Sequence, residues 1–315
     1  MLCHRCSSMQ ICWPQVTGAV SKPPKWFMTN TLLDLSDRFD LKPLAAVVRA
    51  LQPAAAASGS RFFLMGAAAR DLMLQHVHGI APKRITEDVD FGVMVENWEA
   101  FHTLRNALLA SGAFQAAAGK ALHKLLHKST RLPLDIVPFG GVERADRTIA
   151  WPPTQDEVFD CFGAKEALEA SVAVLLPGEV KVQCASIPAL ALLKITAWRD
   201  RKLTHPGRDA VDLGLYMSSY LDCGNMDRAA TEHQDLYAAA DFDHEATGSR
   251  LLGRDIAKLL DHQAITRMLE ILTPETDPDG ALVLVQQAKL ELEHGRQLVA
   301  ALCKGLADEH KKAAK

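Results

Sequence analysis

The decapeptide RITEDVDFGV, residues 84–93, places two carboxylates one residue apart in a strand-like run. Alternate side chains on a strand share a face, so Asp88 and Asp90 point one way while Val89, Phe91 and Val93 point into an apolar layer. Two hard oxygen ligands at a strand end suit Mg²⁺, although the same pair also fits a solvated strand face. The segment RLPLDIVPF supplies a third carboxylate: Leu132, Leu134 and Ile136 share one face, and Asp135 lies on the other with Val137. Asp is disfavoured in strands, so its position between apolar neighbours calls for a reason. If the two strands are adjacent, Asp135 faces Asp88 and Asp90. Three converging carboxylates are what two-metal phosphoryl transfer requires, one ion activating the attacking oxygen and the other neutralising a triphosphate and its leaving pyrophosphate.

Upstream, MGAAARD closes a strand on Gly66 and opens a helix, a geometry that aims backbone amides and a positive helix end at an anion. Arg70, one turn in, could add a charge-assisted bond to phosphate.

These residues need elements to hold them. RFFLMG reads as a short buried strand, AAARDLMLQHV as a helix, and ENWEAFHTLRNALLASG as an amphipathic helix with Asn97 as N-cap and Gly112 past its end. ALHKLLHK, the turn STR and LPLDIVPFGG read as a hairpin. Further strand-like pieces are AVLLPG and VKVQCA, after which helical periodicity dominates from Ser186, while residues 223–248 read as a polar, broken loop or insertion. The expectation is an α+β protein: a small mixed sheet with flanking helices over residues 29–185, then a mainly helical region over 186–315. Residues 1–28 lack periodicity and are expected to be a disordered extension, with Met28 as an alternative start. Cys3, His4, Cys6 and Cys12 have no second ligand pair at finger-like spacing, which argues against zinc there.

The order FLMGAAARDLML, TEDVDFGV, LPLDIVPF resembles the DNA polymerase β-like nucleotidyltransferase superfamily, whose members carry a glycine turn, a D-x-D strand and a later single Asp. Within it the chain looks most like the AbiEii/AbiGii toxin-type nucleotidyltransferases, in which Ser or Thr plus an acid precede the D-x-D, as Thr86 and Glu87 do here. ALLKITAWRDRKLTHPGRDAVDLGLYM is similar to their downstream Lys and Arg-Asp-x-x-Asp-Leu pattern, with Lys194, Asp209 and Asp212. The resemblance spans roughly residues 60–220. It implies a Mg²⁺-dependent enzyme, with two ions held by Asp88, Asp90 and Asp135, moving NMP from an NTP to an acceptor hydroxyl. Asp135 would be a metal ligand or a base. Gly66, Ala67, Arg70 and Thr86 would lie at the nucleotide, and Lys194 would bind the triphosphate or transition state. Asp209 and Asp212 would orient Lys194 or organise the basic helix; the bland alternative is a surface ion-pair network. One departure stands out: Ala67 occupies the usual second Gly or Ser of the turn, so no hydroxyl serves the phosphates there. Acceptors in keeping with the resemblance are tRNA or another RNA, or a protein side chain, and a cognate antitoxin is a possible partner. Three other readings stay open: a binding-only relative, a CCA-adding or poly(A)-type enzyme, and a phosphohydrolase, which would want histidine ligands beside the carboxylates.

Composition fits a cytoplasmic enzyme. The 315 residues carry a formal net charge of −3, which offers no global attraction to nucleic acid, so a polyanion would need a local basic patch. Lys120, Lys124, Lys128 and Arg131 could form such a strip on a strand, with His123 and His127 read as surface residues or as contacts to substrate. No apolar run reaches transmembrane length, so no membrane partner is expected. The seven scattered cysteines argue for a reducing compartment.

Overall fold

The computed structural model describes residues 32–84, 86–119, 121–237 and 242–313, so the expectations for the N-terminal extension and for Lys120 lie outside the described residues. The short strand β1 (Leu33–Asp34) and one 3₁₀ turn lead into α1 (Lys42–Ala57), which buries Leu44, Val47, Val48 and Leu51 at helical spacing. Next, β2 (Arg61–Met65) runs into α2 (Gly66–Asp71), continued by a π-helical turn over Leu72–Val77. After β3 (Val89–Val95) comes α3 (Trp98–Ala110), started by Asn97, whose Oδ1 accepts from the Ala100 amide at 2.9 Å.

Then follow β4 (Phe114–Ala116), β5 (Lys124–His127), β6 (Pro133–Gly140), the small ribbon of β7 (Thr148–Ala150) and β8 (Val158–Asp160), and α4 (Ala164–Glu169). The hairpin of β9 (Val172–Leu176) and β10 (Val180–Cys184) ends the strands. Beyond it lie α5 (Ile187–Arg201), α6 (Arg208–Ser219), α7 (Met226–Glu232), α8 (Gln234–Tyr237), α9 (His244–Ala257), α10 (His262–Leu272), α11 (Val283–Ala288) and α12 (Leu292–Ala313).

Eight strands form one mixed sheet in the order β1-β9-β10-β2-β3-β6-β5-β4. β3 and β6 run parallel side by side, so the two carboxylate-bearing segments are neighbours. The inferred alternation holds: Val89, Phe91, Val93, Leu134 and Ile136 are buried. Helices α1 and α3 pack on the sheet and on each other, while α4 packs on β3, β6 and α5. The mixed sheet with flanking helices, followed by a helical region, is the α+β architecture expected. The described residues form one compact unit, within which strands give way to helices at Ser186.

Helix α5 is central. Ten of its fifteen residues are buried, and it packs against α2, α4, α6, α9 and α10. Any charge it carries inward must therefore be paired. Further along, α9 and α12 lie backbone to backbone, because a Cβ on Gly253 would sit 2.2 Å from the Leu302 carbonyl oxygen.

Three expectations need correction. Arg84 and residues 86–88 are not strand: β3 begins at Val89, and the preceding segment is held by side chains, Arg70 Nη2 donating to the Arg84 carbonyl at 3.0 Å. The described part of the interval 223–248 is largely helical, since α7, α8 and the start of α9 lie in it. His123 and His127 are buried, at 6% and 3% exposure. His123 lies against Trp151 (ring centroids 4.8 Å apart) and Phe159, and His127 lies against Phe114. Among the described residues, no helix is long and apolar enough to cross a membrane.

Candidate active site

The sheet register builds the site. Across β2, β3, β6 and β5, Met65, Asp90, Asp135 and Lys124 fall at one level. Asp88 enters just ahead of β3 on the side of Asp90. One carboxylate oxygen from each of Asp88, Asp90 and Asp135 lies within 4.8 Å of the other two. Among the described residues, no histidine or cysteine joins this cluster, and His76 instead approaches Asp40 at 3.7 Å.

Like charges on neighbouring strands repel, and the titration of Asp90 records it. Burial, and then the charges of Asp88 and Asp135, push its carboxyl up to about 6, against a smaller opposing pull from Lys194 and Arg201. Asp135 meets an ammonium instead, Lys124 Nζ donating to Oδ2 at 2.6 Å. Lys124 is thus part of the site, while Lys128 and Arg131 belong to the turn beyond β5, so the expected basic strip does not form on this strand. Its role could have been seen in sequence only with the β5–β6 register in hand.

Gly66 is at the site for a steric reason. Its φ is +67°, and a Cβ there would fall 1.9 Å from Asp90 Oδ2. Gly66→Ala is expected to cost about 2–4 kcal/mol, from the left-handed backbone and the collision together, measured by urea unfolding. Wild-type stability for that variant would mean the turn relaxes away from Asp90. Ala67 is 2% exposed with its methyl in the interior, so the position of the missing hydroxyl faces the core.

Behind the carboxylates is a buried charge network. Lys194 Nζ lies 3.0 Å from Asp209 Oδ1 and 2.9 Å from Asp212 Oδ2, all three residues being buried. Arg201 grips Asp209 through Nε and Nη2 at 2.6 and 2.8 Å. Asp212 also accepts from Arg84, at 3.1 and 2.8 Å, and from Arg70 Nη1 at 2.5 Å. Burial alone would raise both carboxyls; the cations overrule it and hold Asp209 and Asp212 below the usual carboxylate range. The bland surface-network alternative therefore fails, and Asp209 and Asp212 together fix Lys194.

Arg70 is fully buried. Its guanidinium is engaged by Asp71, Asp212, the Arg84 carbonyl and Thr86 Oγ1, and Thr86 in turn donates to Asp71. The phosphate contact inferred for Arg70 is not available in this geometry: α2 packs against α5, which turns Arg70 toward α6. Thr86 likewise serves the segment before β3. Asp71 and Arg84 had no signal in the sequence, since neither sits in a periodic pattern with its partners.

A glycine turn, three convergent carboxylates and a clamped lysine make the arrangement of a nucleotidyltransferase. Residues 49–283 match the family described as "Nucleotidyl transferase AbiEii toxin, Type IV TA system". The chain belongs to this AbiEii nucleotidyltransferase toxin family. Among solved structures it is similar to an antigenic nucleotidyltransferase-like protein from Paracoccidioides brasiliensis, at 18% identity and a TM-score of 0.37, over 64% of this chain and 93% of that one. It is also similar to the antibiotic-resistance factor ANT(2'')-Ia in complex with adenylyl-2''-tobramycin, at 13% identity and a TM-score of 0.34, over 62% of this chain and 95% of that one. No curated protein matches the chain in a sequence search.

Proposed function

We propose that the protein transfers a nucleoside monophosphate from an NTP to an acceptor hydroxyl, on an RNA 3′ end or a protein side chain, as the toxin of a toxin–antitoxin pair. The observation that carries this reading is the convergence of Asp88, Asp90 and Asp135 beside Lys194, a buried cation with its own paired carboxylates. The aspartates suit hard divalent ions: they offer oxygen ligands only, and Asp90 is desolvated and crowded by like charge, so a cation there relieves a repulsion. Asp88, Asp90 and Asp135 would hold Mg²⁺, two ions in the full site, which when bound supply charge neutralisation at the triphosphate and activation of the acceptor oxygen.

The chain's own residues do the rest. Gly66 leaves room for the Asp90 carboxylate. Lys194, oriented by Asp209 and Asp212, presents a fixed positive charge where negative charge grows on the phosphates. Arg201 keeps Asp209 ionised and so keeps the lysine in place. Lys124 neutralises Asp135 in the absence of substrate.

Incubation with each of four labelled NTPs, Mg²⁺, total tRNA and cell lysate tests the reading. Label is expected on RNA or protein, and Lys194→Ala should cut it by roughly 10²–10³-fold, as removal of one preorganised charge does elsewhere. Equal labelling by wild type and variant would remove Lys194 from the mechanism, and no labelling of any acceptor would sink the reaction itself.

A further inference from the structure

We propose that a cationic cleft next to the Lys194 network is a phosphate-binding subsite that seats the sugar–phosphate backbone of a nucleic-acid acceptor. This inference rests on the nucleotidyl-transfer reading above and names the acceptor class. The cleft has a volume of about 300 Å³ and is lined by Lys83, Arg84, Arg208 and Lys289, with no carboxylate in its wall. These cations come from three separate parts of the chain: the segment before β3, the start of α6 and the residue after α11. Arg84 is committed to Asp212. Among the described residues nothing pairs with the side chains of Lys83, Arg208 or Lys289, and all three are exposed. Three unpaired cations facing one cleft repel each other, which is a cost unless an anion is bound there.

Backbone adds to the charge. α6 starts from Gly207, at φ +86° and without a side-chain cap, and Gly207 is itself in the wall, so the first amides of a twelve-residue helix face the cleft. Against a net charge of −3 for the whole chain, this is a local exception. The cleft also touches the catalytic network at two points: Arg84 binds Asp212, and Arg208 directly precedes Asp209. A strand lying across it would therefore run alongside the elements that orient Lys194.

A backbone phosphodiester and the triphosphate of an NTP share the chemistry that this wall recognises. The contacts favour the former: Lys194 and Arg201 are the cations that act on Asp90, whereas Arg84 of the cleft wall meets the network through Asp212, the residue that in turn holds Lys194.

The test compares wild type with the triple variant Lys83→Ala, Arg208→Ala, Lys289→Ala, using fluorescein-labelled bulk tRNA and, separately, ATP with Mg²⁺. Each lost phosphate contact should lower the slope of log affinity against log salt by about 0.7–0.9, so the variant should lose about two units of slope and roughly 30-fold in tRNA affinity at low salt. ATP affinity should be unchanged, and thermal stability should not fall, since a repulsion is removed. The charge-conserving variant Lys83→Arg, Arg208→Lys, Lys289→Arg should bind tRNA as wild type does. Unchanged tRNA affinity and slope in the triple Ala variant would overturn the proposal, as would an equal loss for ATP, which would assign the cleft to the triphosphate. Transfer activity onto protein with no tRNA binding would overturn the subsite while leaving nucleotidyl transfer standing; tRNA binding without transfer to any acceptor would do the reverse.

Discussion

Asp90→Asn should strongly impair nucleotidyl transfer and, at the same time, make the metal-free protein more stable at neutral pH. The two effects have one cause. Asp90 sits between Asp88 and Asp135, largely shielded from water, and its carboxyl titrates at about 6 rather than 3.8. A carboxyl whose folded-state value exceeds the unfolded one favours folding while protonated, so its contribution is complete below about pH 4 and is lost as pH rises through 6. Two units of displacement correspond to about 3 kcal/mol. In EDTA, then, wild type should lose up to that amount between pH 4 and 7, and the Asn variant should not. Excess Mg²⁺ should restore the stability of wild type alone, because the ion takes over the neutralising role of the proton. Transfer by the variant should fall by roughly 10²–10³-fold. Coincident pH profiles for the two proteins would show that the repulsion is screened in solution, and full activity of the variant would remove Asp90 from the reaction.

The second large effect is expected at Asp212, where the result is a large loss of stability. Asp212 is the shared acceptor for Lys194, Arg84 and Arg70, and it is 1% exposed. Asp212→Ala leaves three cations facing one another in a buried space, an arrangement that costs about 3–5 kcal/mol. Urea unfolding should register that cost, with Asp212→Asn intermediate because it keeps hydrogen-bond acceptors but removes charge. The pH dependence runs opposite to that of Asp90. Neighbouring cations hold the Asp212 carboxyl low, so its contribution is present at neutral pH and is lost as pH falls below the ordinary carboxylate range. A cost below about 1 kcal/mol for Asp212→Ala would place the network on the level of a solvated surface pair.

The carboxylate convergence was legible in sequence because it depends on two simple things, a side-chain period of two and the adjacency of two strands. Asp90 and Asp135 satisfied both, and Asp88, one residue ahead of β3, joins them from the loop. Lys194, Asp209 and Asp212 were legible as a pattern on two successive helices, and α5 and α6 do pack together. What escaped depends on long-range packing. Arg70 shows the right type and spacing for a phosphate ligand, yet its guanidinium is buried and taken up by Asp71, Asp212, Thr86 and the Arg84 carbonyl. Lys124 became a partner of Asp135 only through a cross-strand register. His123 is buried by Trp151 and Phe159, residues with no local signature of that contact. Helices α7 and α8 are short and polar, and each buries only a single residue, Ala229 and Leu236, which leaves almost no periodic signal.

The shared level of Asp90 and Asp135 across β3 and β6 also acts as a proofreading device for folding. A slip of one residue between the strands would turn one carboxylate into the apolar layer now filled by Phe91 and Ile136. Misaligned sheets are thereby penalised by the very groups that serve the chemistry, so a chain that reaches a packed core has already assembled its carboxylate cluster.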